Sequence, residues 1–182
     1  MKRTLITAGV LLLSAMTTFA NNTPGNNEDR KSRKEARKEA RKADRNTVSD
    51  FTKGQFYEDF PAATNIRYEK TNYFDEVAFT LNGQRERAYY DIHNQLVGTT
   101  ERKAFTDIPE NAQREIEKKY KDYKIDSVLE YDDNEVNDTD MTMFDTAFDG
   151  ADNYFVVLRK SSELLIVKVD MAGNVSFFKS MK

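Results

Sequence analysis

The sequence predicts an α+β domain in which two helix-plus-four-strand repeats form a mainly antiparallel, curved sheet with the helices on one face. Three observations indicate this fold. Apolar residues recur at helical spacing twice, in residues 48–60 and 107–120. Each helical segment is followed by four short segments that read as strands. The pair Asn82-Gly83, a strong signal for a tight hairpin turn, makes its neighbouring strands antiparallel.

The first 20 residues have the features of a secretory signal peptide. Lys2 and Arg3 give a positive start, residues 10–13 are apolar, and Thr18-Phe19-Ala20 supplies the small residues of a cleavage site. The apolar stretch is short for a bilayer span of about 20 residues, so we expect cleavage near Ala20 rather than an uncleaved anchor. We therefore expect a periplasmic or secreted protein without a transmembrane span after signal removal.

Residues 21–46 form a polar linker and a charged segment that lack Leu, Ile, Val, Phe and Tyr. The unit Arg-Lys-Glu-Ala occurs twice, and residues 28–45 hold nine Lys and Arg against five Asp and Glu. These residues favour a helix, but without an apolar stripe the helix has nothing to bury. We expect a helical or disordered spacer. The alternative is electrostatic attachment to an anionic surface through Arg30–Arg45. Nucleic acid is not expected as a partner, because the signal peptide exports the chain.

The first repeat is predicted over residues 47–104. Val48, Phe51, Phe56 and Phe60 are assigned to one helical face. Pro61 ends the helix, because the residue before a proline is displaced from the α region. The four strands of this repeat are predicted at residues 66–71, 76–82, 84–91 and 95–103.

The second repeat is predicted over residues 105–182. Ile108, Ala112, Ile116 and Tyr120 fall on one face of its helix. Its strands are predicted at residues 125–131, 154–159, 163–170 and 174–179. An acidic insertion at residues 132–153, with eight acids and no base, interrupts this repeat after its first strand.

Several short motifs carry a family resemblance. They are Phe60-Pro61-Ala62-Ala63-Thr64-Asn65-Ile66 with Tyr68, Val77-Ala78-Phe79, Ala88-Tyr89-Tyr90-Asp91 and Leu96-Val97-Gly98-Thr99-Thr100. Together they resemble the PepSY-like, β-lactamase-inhibitor-like (BLIP-like) modules of secreted bacterial proteins. The second half matches more loosely, and family members often carry Trp at the position of Tyr68. The resemblance implies tandem helix-plus-four-strand units whose eight strands form one curved sheet with an open, protein-binding face.

Composition removes most enzyme classes. The 182 residues include no Cys and one His, His93, so thiolate chemistry, disulfides and multi-histidine metal sites are excluded. His93 is expected in an exposed turn, and no nucleophile is indicated beside it. No glycine-rich phosphate loop occurs. We expect no catalytic activity and no cofactor.

Charge is distributed unevenly along the chain. Residues 47–182 contain 17 basic and 26 acidic side chains, a net charge of −9, against +4 for residues 28–45. With so many acids, close carboxylate pairs arise by chance and do not indicate a glycosidase. Calcium is an alternative for the acidic insertion, but the spacing there lacks the Gly and bidentate Glu of an EF-hand. A solvated acidic loop is expected, and no metal is predicted.

Two groups of residues are candidates for partner binding. Period-two alternation places Arg85, Arg87 and Tyr89 on one face of their strand, and Arg and Tyr suit interfaces. The alternative is that one neighbouring tyrosine packs under a helix and the arginines are simply solvated. In the insertion, apolar residues either cover a sheet edge or form an adaptable contact patch: Met141, Met143, Phe144 and Phe148.

The function predicted from these features is that of a secreted, non-catalytic protein-binding module. It would act as an inhibitor or a chaperone through the open sheet face, on an unknown protein partner in the cell envelope. The alternative is an envelope- or surface-associated protein that its basic segment tethers to an anionic polymer or lipid. The two differ in salt dependence, since attachment by exposed charges weakens as salt rises.

Overall fold

The structure is a computed structural model that describes residues 27–45 and 47–181. The predicted signal peptide and the start of the linker lie outside the described residues. Helix α1 (Asn27–Arg45) occupies the charged segment, so the helical alternative holds there. Its side chains from 30 to 39 are all exposed. No helix in the described part of the chain is long and apolar enough to cross a bilayer.

The remaining described residues form an α+β domain, as predicted. Helix α2 (Asp50–Asp59) is followed by four strands, and a 3-10 turn (Phe105–Asp107) leads into helix α3 (Glu110–Lys119). The strands are β1 (Thr64–Lys70), β2 (Asp75–Leu81), β3 (Gln84–Tyr90), β4 (Leu96–Lys103), β5 (Lys124–Asp133), β6 (Met141–Met143), β7 (Thr146–Phe148), β8 (Asn153–Lys160), β9 (Glu163–Asp170) and β10 (Val175–Met181).

Eight strands form one curved antiparallel sheet in the order β1-β2-β3-β4-β5-β8-β9-β10, and β6 pairs only with β7. The β2–β3 hairpin turns through Asn82 and Gly83, whose φ angles of 52° and 85° are both positive. A type I′ turn requires this geometry, which explains the Asn-Gly pair at that position. Each predicted strand of the two halves has a counterpart in the sheet.

Helix α2 packs on β2 and β3 through Phe56, which is fully buried with Val77, Phe79, Ala88 and Tyr90. The hydroxyl of its N-cap, Ser49, accepts a hydrogen bond from a first-turn backbone N–H at 3.0 Å.

The helical face predicted for α2 is wrong at one residue, because Phe51 is 81% exposed. Phe51 and Phe56 are five positions apart, which turns an α-helix by about 500° and places them on different sides. Thr52, four positions before Phe56, is the residue buried instead.

Helix α3 packs on the same face of the sheet over β5, β8 and β9. Ile108, Ala112 and Ile116 are buried there against Val128 and Val156, among others. The two helices therefore cover one face, as predicted.

The insertion changes the opposite face. Its β6–β7 hairpin packs over the second half of the sheet, where Met141 and Met143 are buried with Tyr131, Phe155 and Ile166. The sequence leads us to expect the whole of this face to be exposed. The structure leaves it open only over β1 to β4, because the apolar side chains of the hairpin need a surface on which to be buried. We call this part, β1 to β4 on the side away from the helices, the open face.

Candidate partner-binding site

A cavity of about 670 Å³ lies where the open face meets the β6–β7 hairpin. It brings together the two groups of residues that the sequence offered separately. The lining comprises charged, small and apolar residues: Glu76, Ala78, Arg85, Glu86, Arg87, Tyr89, Thr100, Arg102, Leu129, Thr142, Met143 and Phe144. The strands supply its polar floor, and the hairpin supplies an apolar wall.

Four arginines share the open face. Residues paired across antiparallel strands project to the same side of the sheet. Ala78 pairs with Arg67 on one side and Arg87 on the other, and Arg87 pairs in turn with Thr100. By alternation, Arg85 lies on the same face two residues before Arg87, and Arg102 lies there two residues after Thr100. Residues 47–182 contain six arginines, so two thirds of them are concentrated here.

Arg85 and Arg102 lie directly opposite each other. The β3–β4 register pairs Glu86 with Glu101 and Arg87 with Thr100, and its continuation by one residue sets Arg85 against Arg102. Both side chains are exposed, and neither forms an ion pair or hydrogen bond with any residue of the described chain. Like charges directly opposite on two strands destabilise the pairing. The open face therefore carries two neighbouring cations that form no ion pair with the described chain.

The opposite face of the sheet also carries a pair of like charges, but there a lysine lies beside them. Glu86 and Glu101 are cross-strand partners there, and the Nζ atom of Lys103 lies 2.8 Å from Glu101 and 3.0 Å from Glu130. Burial and the nearby charge of Glu101 raise the pKa of Glu86 above its ordinary value. Lysine neutralises this acidic group, whereas the arginine pair has no such neighbour.

Arg87, Tyr89 and Thr100 are engaged in contacts within the site. Arg87 forms a hydrogen-bonded ion pair with Glu76 and lies 3.8 Å from Glu69. The hydroxyls of Tyr89 and Thr100 share a hydrogen bond of 3.1 Å, and burial raises the pKa of Tyr89. Arg87 and Tyr89 are thus fixed parts of the floor. Tyr90, the next residue along the strand, packs under α2 on the other side of the sheet.

Among the described acids, Asp126 has a pKa that is lowered in part by the positive charge of Arg102. Its carboxylate binds Arg159 at 2.7 Å, and mainly this hydrogen bond, and more weakly the charge of Arg102, hold the pKa of Asp126 below its ordinary value. Arg102 itself forms no ion pair with this carboxylate, which is bound by Arg159.

The hairpin residues divide between core and site. Met141 is fully buried and Phe148 packs edge-on against Tyr131 and Phe155 at centroid distances of 5.3 and 5.2 Å. The prediction of Met141 as a partner-contacting residue is wrong, because the residue is fully buried in the core beneath the hairpin. Phe148 is only partly buried against that core, and its role in partner contact stays a prediction. Met143 and the half-buried Phe144 line the cavity and keep their place among the candidates.

The acidic insertion is tied to the turn between β3 and β4. The side-chain amide of Asn137 donates to Asp91 at 3.3 Å and to the Leu96 carbonyl at 3.1 Å. Asn134 donates to the same carbonyl at 2.7 Å. His93 lies exposed in this turn, with its backbone N–H donating to Asp91. These bonds fix the start of the insertion on the first half of the domain.

The acids of the insertion do not converge on a point. Within residues 27–45 and 47–181, no three His, Asp or Glu side chains are placed to hold a metal ion together. Burial, then the charge of Asp152, raises the pKa of Asp132.

Arg67 and Arg102 belong to the site but are not among the residues that the sequence patterns single out. Period two alone places Arg85, Arg87 and Tyr89 together, since they share a strand. Arg102 lies on another strand, and only the register between β3 and β4 identifies it as the partner of Arg85. Counting residues outward from the Asn82-Gly83 turn predicts the β2–β3 register correctly. The same counting fails for β3 and β4, because their pairing contains a bulge at Tyr89 and Tyr90.

The chain matches no protein-family model and no curated protein. It is similar in structure to a BLIP-like protein from Bacteroides fragilis, with a TM-score of 0.56, 13% identity and coverage of 73% of this chain and 86% of that one. A DUF2874 family protein from Bacteroides uniformis gives a TM-score of 0.58 at 9% identity, covering 74% and 88%. A Bacteroides eggerthii protein, provisionally described as periplasmic, gives a TM-score of 0.58 at 12% identity, and the match covers 74% of this chain and 88% of that one.

These likenesses establish the fold. The BLIP-like part of the resemblance inferred from the sequence motifs is supported at this level. The comparisons give no support to the PepSY-like assignment or to a tandem repeat as such. At identities this low, what a neighbour binds does not carry over to this chain.

Proposed function

We propose that this protein is a non-catalytic protein-binding module of the periplasm or cell exterior, and that it binds its partner on the open face and in the adjoining cavity. The observation that carries the proposal is the arginine pair, Arg85 and Arg102, exposed on a concave surface beside Met143 and Phe144. Arginine and large apolar side chains together are typical of interface centres. The signal-like N-terminus supports the location.

The state of the lining side chains supports binding over catalysis. Glu76 is held by Arg87, and Tyr89 by Thr100. Arg85 and Arg102, which line the cavity without an ion pair or hydrogen bond to the described chain, are permanently charged donors. They are suited to holding an anion and unsuited to accepting a proton at neutral pH.

The proposal is tested by blocking the open face without changing its charge. Ala78 lies in the middle of this face, between Arg67 and Arg87, so Ala78→Trp places a bulky ring across it. The mature chain and this variant are used to capture proteins from a cell-envelope extract of the producing organism. Glu115→Trp, at an exposed site of α3, is the matched control. A partner held by the wild type and the control but lost from Ala78→Trp is the expected result. Equal capture by all three would refute the proposal.

A second candidate function rests on α1. The helical period of about 3.6 residues gathers the basic residues of positions 30–39 on one side and Glu35 and Glu39 on the other. We propose that this stripe attaches the protein to an anionic polymer or lipid surface. Sedimentation with phosphatidylglycerol vesicles should show binding that decreases with salt and is lost when the six basic residues become glutamine: Arg30, Lys31, Arg33, Lys34, Arg37 and Lys38. Binding that survives this replacement would rule the role out.

A further inference from the structure

We propose that Arg85 and Arg102 form a receptor for a carboxylate, and that the partner therefore presents an acidic, extended segment to the open face. A neighbouring apolar side chain of that segment would pack against Met143 and Phe144 in the same cavity. This inference rests on the proposed function and specifies the chemistry of the partner.

The first argument is the electrostatic cost of the pair. Arg85 and Arg102 face each other across two strands and have no described carboxylate as a partner. A carboxylate placed between them would relieve the repulsion and accept hydrogen bonds from both guanidinium groups. A partner carboxylate would thus be attracted by both arginines and would also relieve the repulsion between them, which destabilises the sheet.

The second argument is the choice of side chain. Residues 47–182 contain eleven lysines and six arginines, yet all four basic residues on the open face are arginines. The planar guanidinium matches a carboxylate in two parallel hydrogen bonds, whereas lysine acts as a point charge. With Arg87 held by Glu76, Arg85 and Arg102 provide free donors in the cavity, whose lining does not include Arg67.

The third argument favours a polypeptide over a lipid surface or a long polyanion. The cavity is concave and has an apolar wall, and an acidic segment that carries an apolar side chain fits both features. The domain as a whole has a net charge of −9, which repels an extended polyanion. A short segment senses mainly the nearest charges, because salt screens interactions beyond about 8–10 Å.

Fluorescence anisotropy with the mature chain tests the inference. The probe is a short labelled peptide of glutamates around one phenylalanine, and the same peptide with glutamine for glutamate measures binding that is independent of charge. We expect Arg85→Gln and Arg102→Gln each to weaken binding of the acidic peptide about tenfold or more, and the glutamine peptide not to bind. Arg114→Gln, an exposed arginine of α3, should leave binding unchanged.

Phe144→Ser separates the apolar part of the site. It should weaken binding of the acidic peptide and have little effect on a peptide whose phenylalanine is replaced by glycine. Thermal melting of each variant checks that it is folded. Equal binding of the acidic peptide by the wild type and the Arg85→Gln/Arg102→Gln variant would overturn the inference.

Two further binding experiments distinguish an acidic peptide from other negatively charged ligands. Phosphatidylglycerol vesicles and heparin are offered to the same variants, and tighter arginine-dependent binding to either of them than to the peptide would also overturn the inference. The proposed function and this inference can be refuted independently of each other. If Ala78→Trp loses an envelope partner that the double arginine variant retains, protein binding on the open face stands and the acidic partner is wrong.

Discussion

Gly98 of β4 lies directly beneath the ring of Tyr131 of β5. A Cβ atom on Gly98 would come within 2.6 Å of both the ring edge and the hydroxyl of Tyr131. The Tyr131 hydroxyl lies 2.9 Å from Asp133 Oδ1 and 3.2 Å from the Val97 carbonyl oxygen, within donating distance of both. Phe148 of the hairpin packs edge-on against the same ring. One glycine-tyrosine contact thus joins the two halves of the sheet to the insertion.

Gly98→Ala should destabilise the domain by about 1–3 kcal/mol, because the added methyl group clashes with the Tyr131 ring in a packed core and with the backbone carbonyl oxygen of Asp132. Gly54→Ala is the matched control. Gly54 is exposed in α2, and a methyl group there would meet no atom within 4 Å, so alanine should stabilise by roughly 0.5–1 kcal/mol. Urea unfolding measures both changes. A Gly98→Ala variant as stable as the wild type would show that the Tyr131 ring and the backbone of β5 move without cost.

Met141→Ala should cost about 2–5 kcal/mol, since the residue is fully buried beneath the hairpin and its removal leaves a cavity. Val136→Ala in the same insertion should change stability by less than about 0.5 kcal/mol, because Val136 is 92% exposed. Chemical denaturation of the two variants compares them. Similar values for both would mean that the hairpin does not pack on the sheet.

Removal of one charge from the arginine pair should stabilise the protein. Arg102→Gln is expected to raise the free energy of unfolding by about 0.2–1 kcal/mol at low salt, and the gain should shrink at high salt. Arg87→Gln should have the opposite effect, because it breaks the ion pair with Glu76. Thermal unfolding at two salt concentrations measures the signs. A loss of stability in Arg102→Gln would mean that Arg102 is compensated after all.

Glu86 should make stability depend on pH. Burial and Glu101 raise its pKa in the folded state above the ordinary 4.5, so the folded protein holds this proton more tightly than the unfolded chain. Stability from this group is therefore lost as pH rises from the unfolded value through the folded value. Glu86→Gln should raise Tm at neutral pH and flatten the pH dependence in that window, whereas Glu117→Gln, exposed on α3, should not. Unchanged melting curves for Glu86→Gln would contradict this.

Much of the fold follows from local patterns. The alternation of Val77 and Phe79, the turn at Asn82-Gly83 and the stop at Pro61 are readable because each depends on neighbouring residues only. The placement of Phe51 on the buried face is wrong because a separation of five residues does not return to the same side of a helix. Only part of the candidate site could be predicted from the sequence. Arg85, Arg87 and Tyr89 share a strand and a face, whereas Arg102 and the division of the hairpin residues depend on distant parts of the chain.

Local sequence was enough to specify the two helices of the domain, the eight long strands, the Asn-Gly turn and the contrast between a basic arm and an acidic domain. These depend on periodicity, turn chemistry and charge within short stretches. The folded chain was needed to show that Arg85 faces Arg102, that Met141 is buried and that the hairpin closes half of the face opposite the helices. The physical reason is that strand register and the docking of the insertion depend on packing between residues far apart in the chain, which no local pattern encodes.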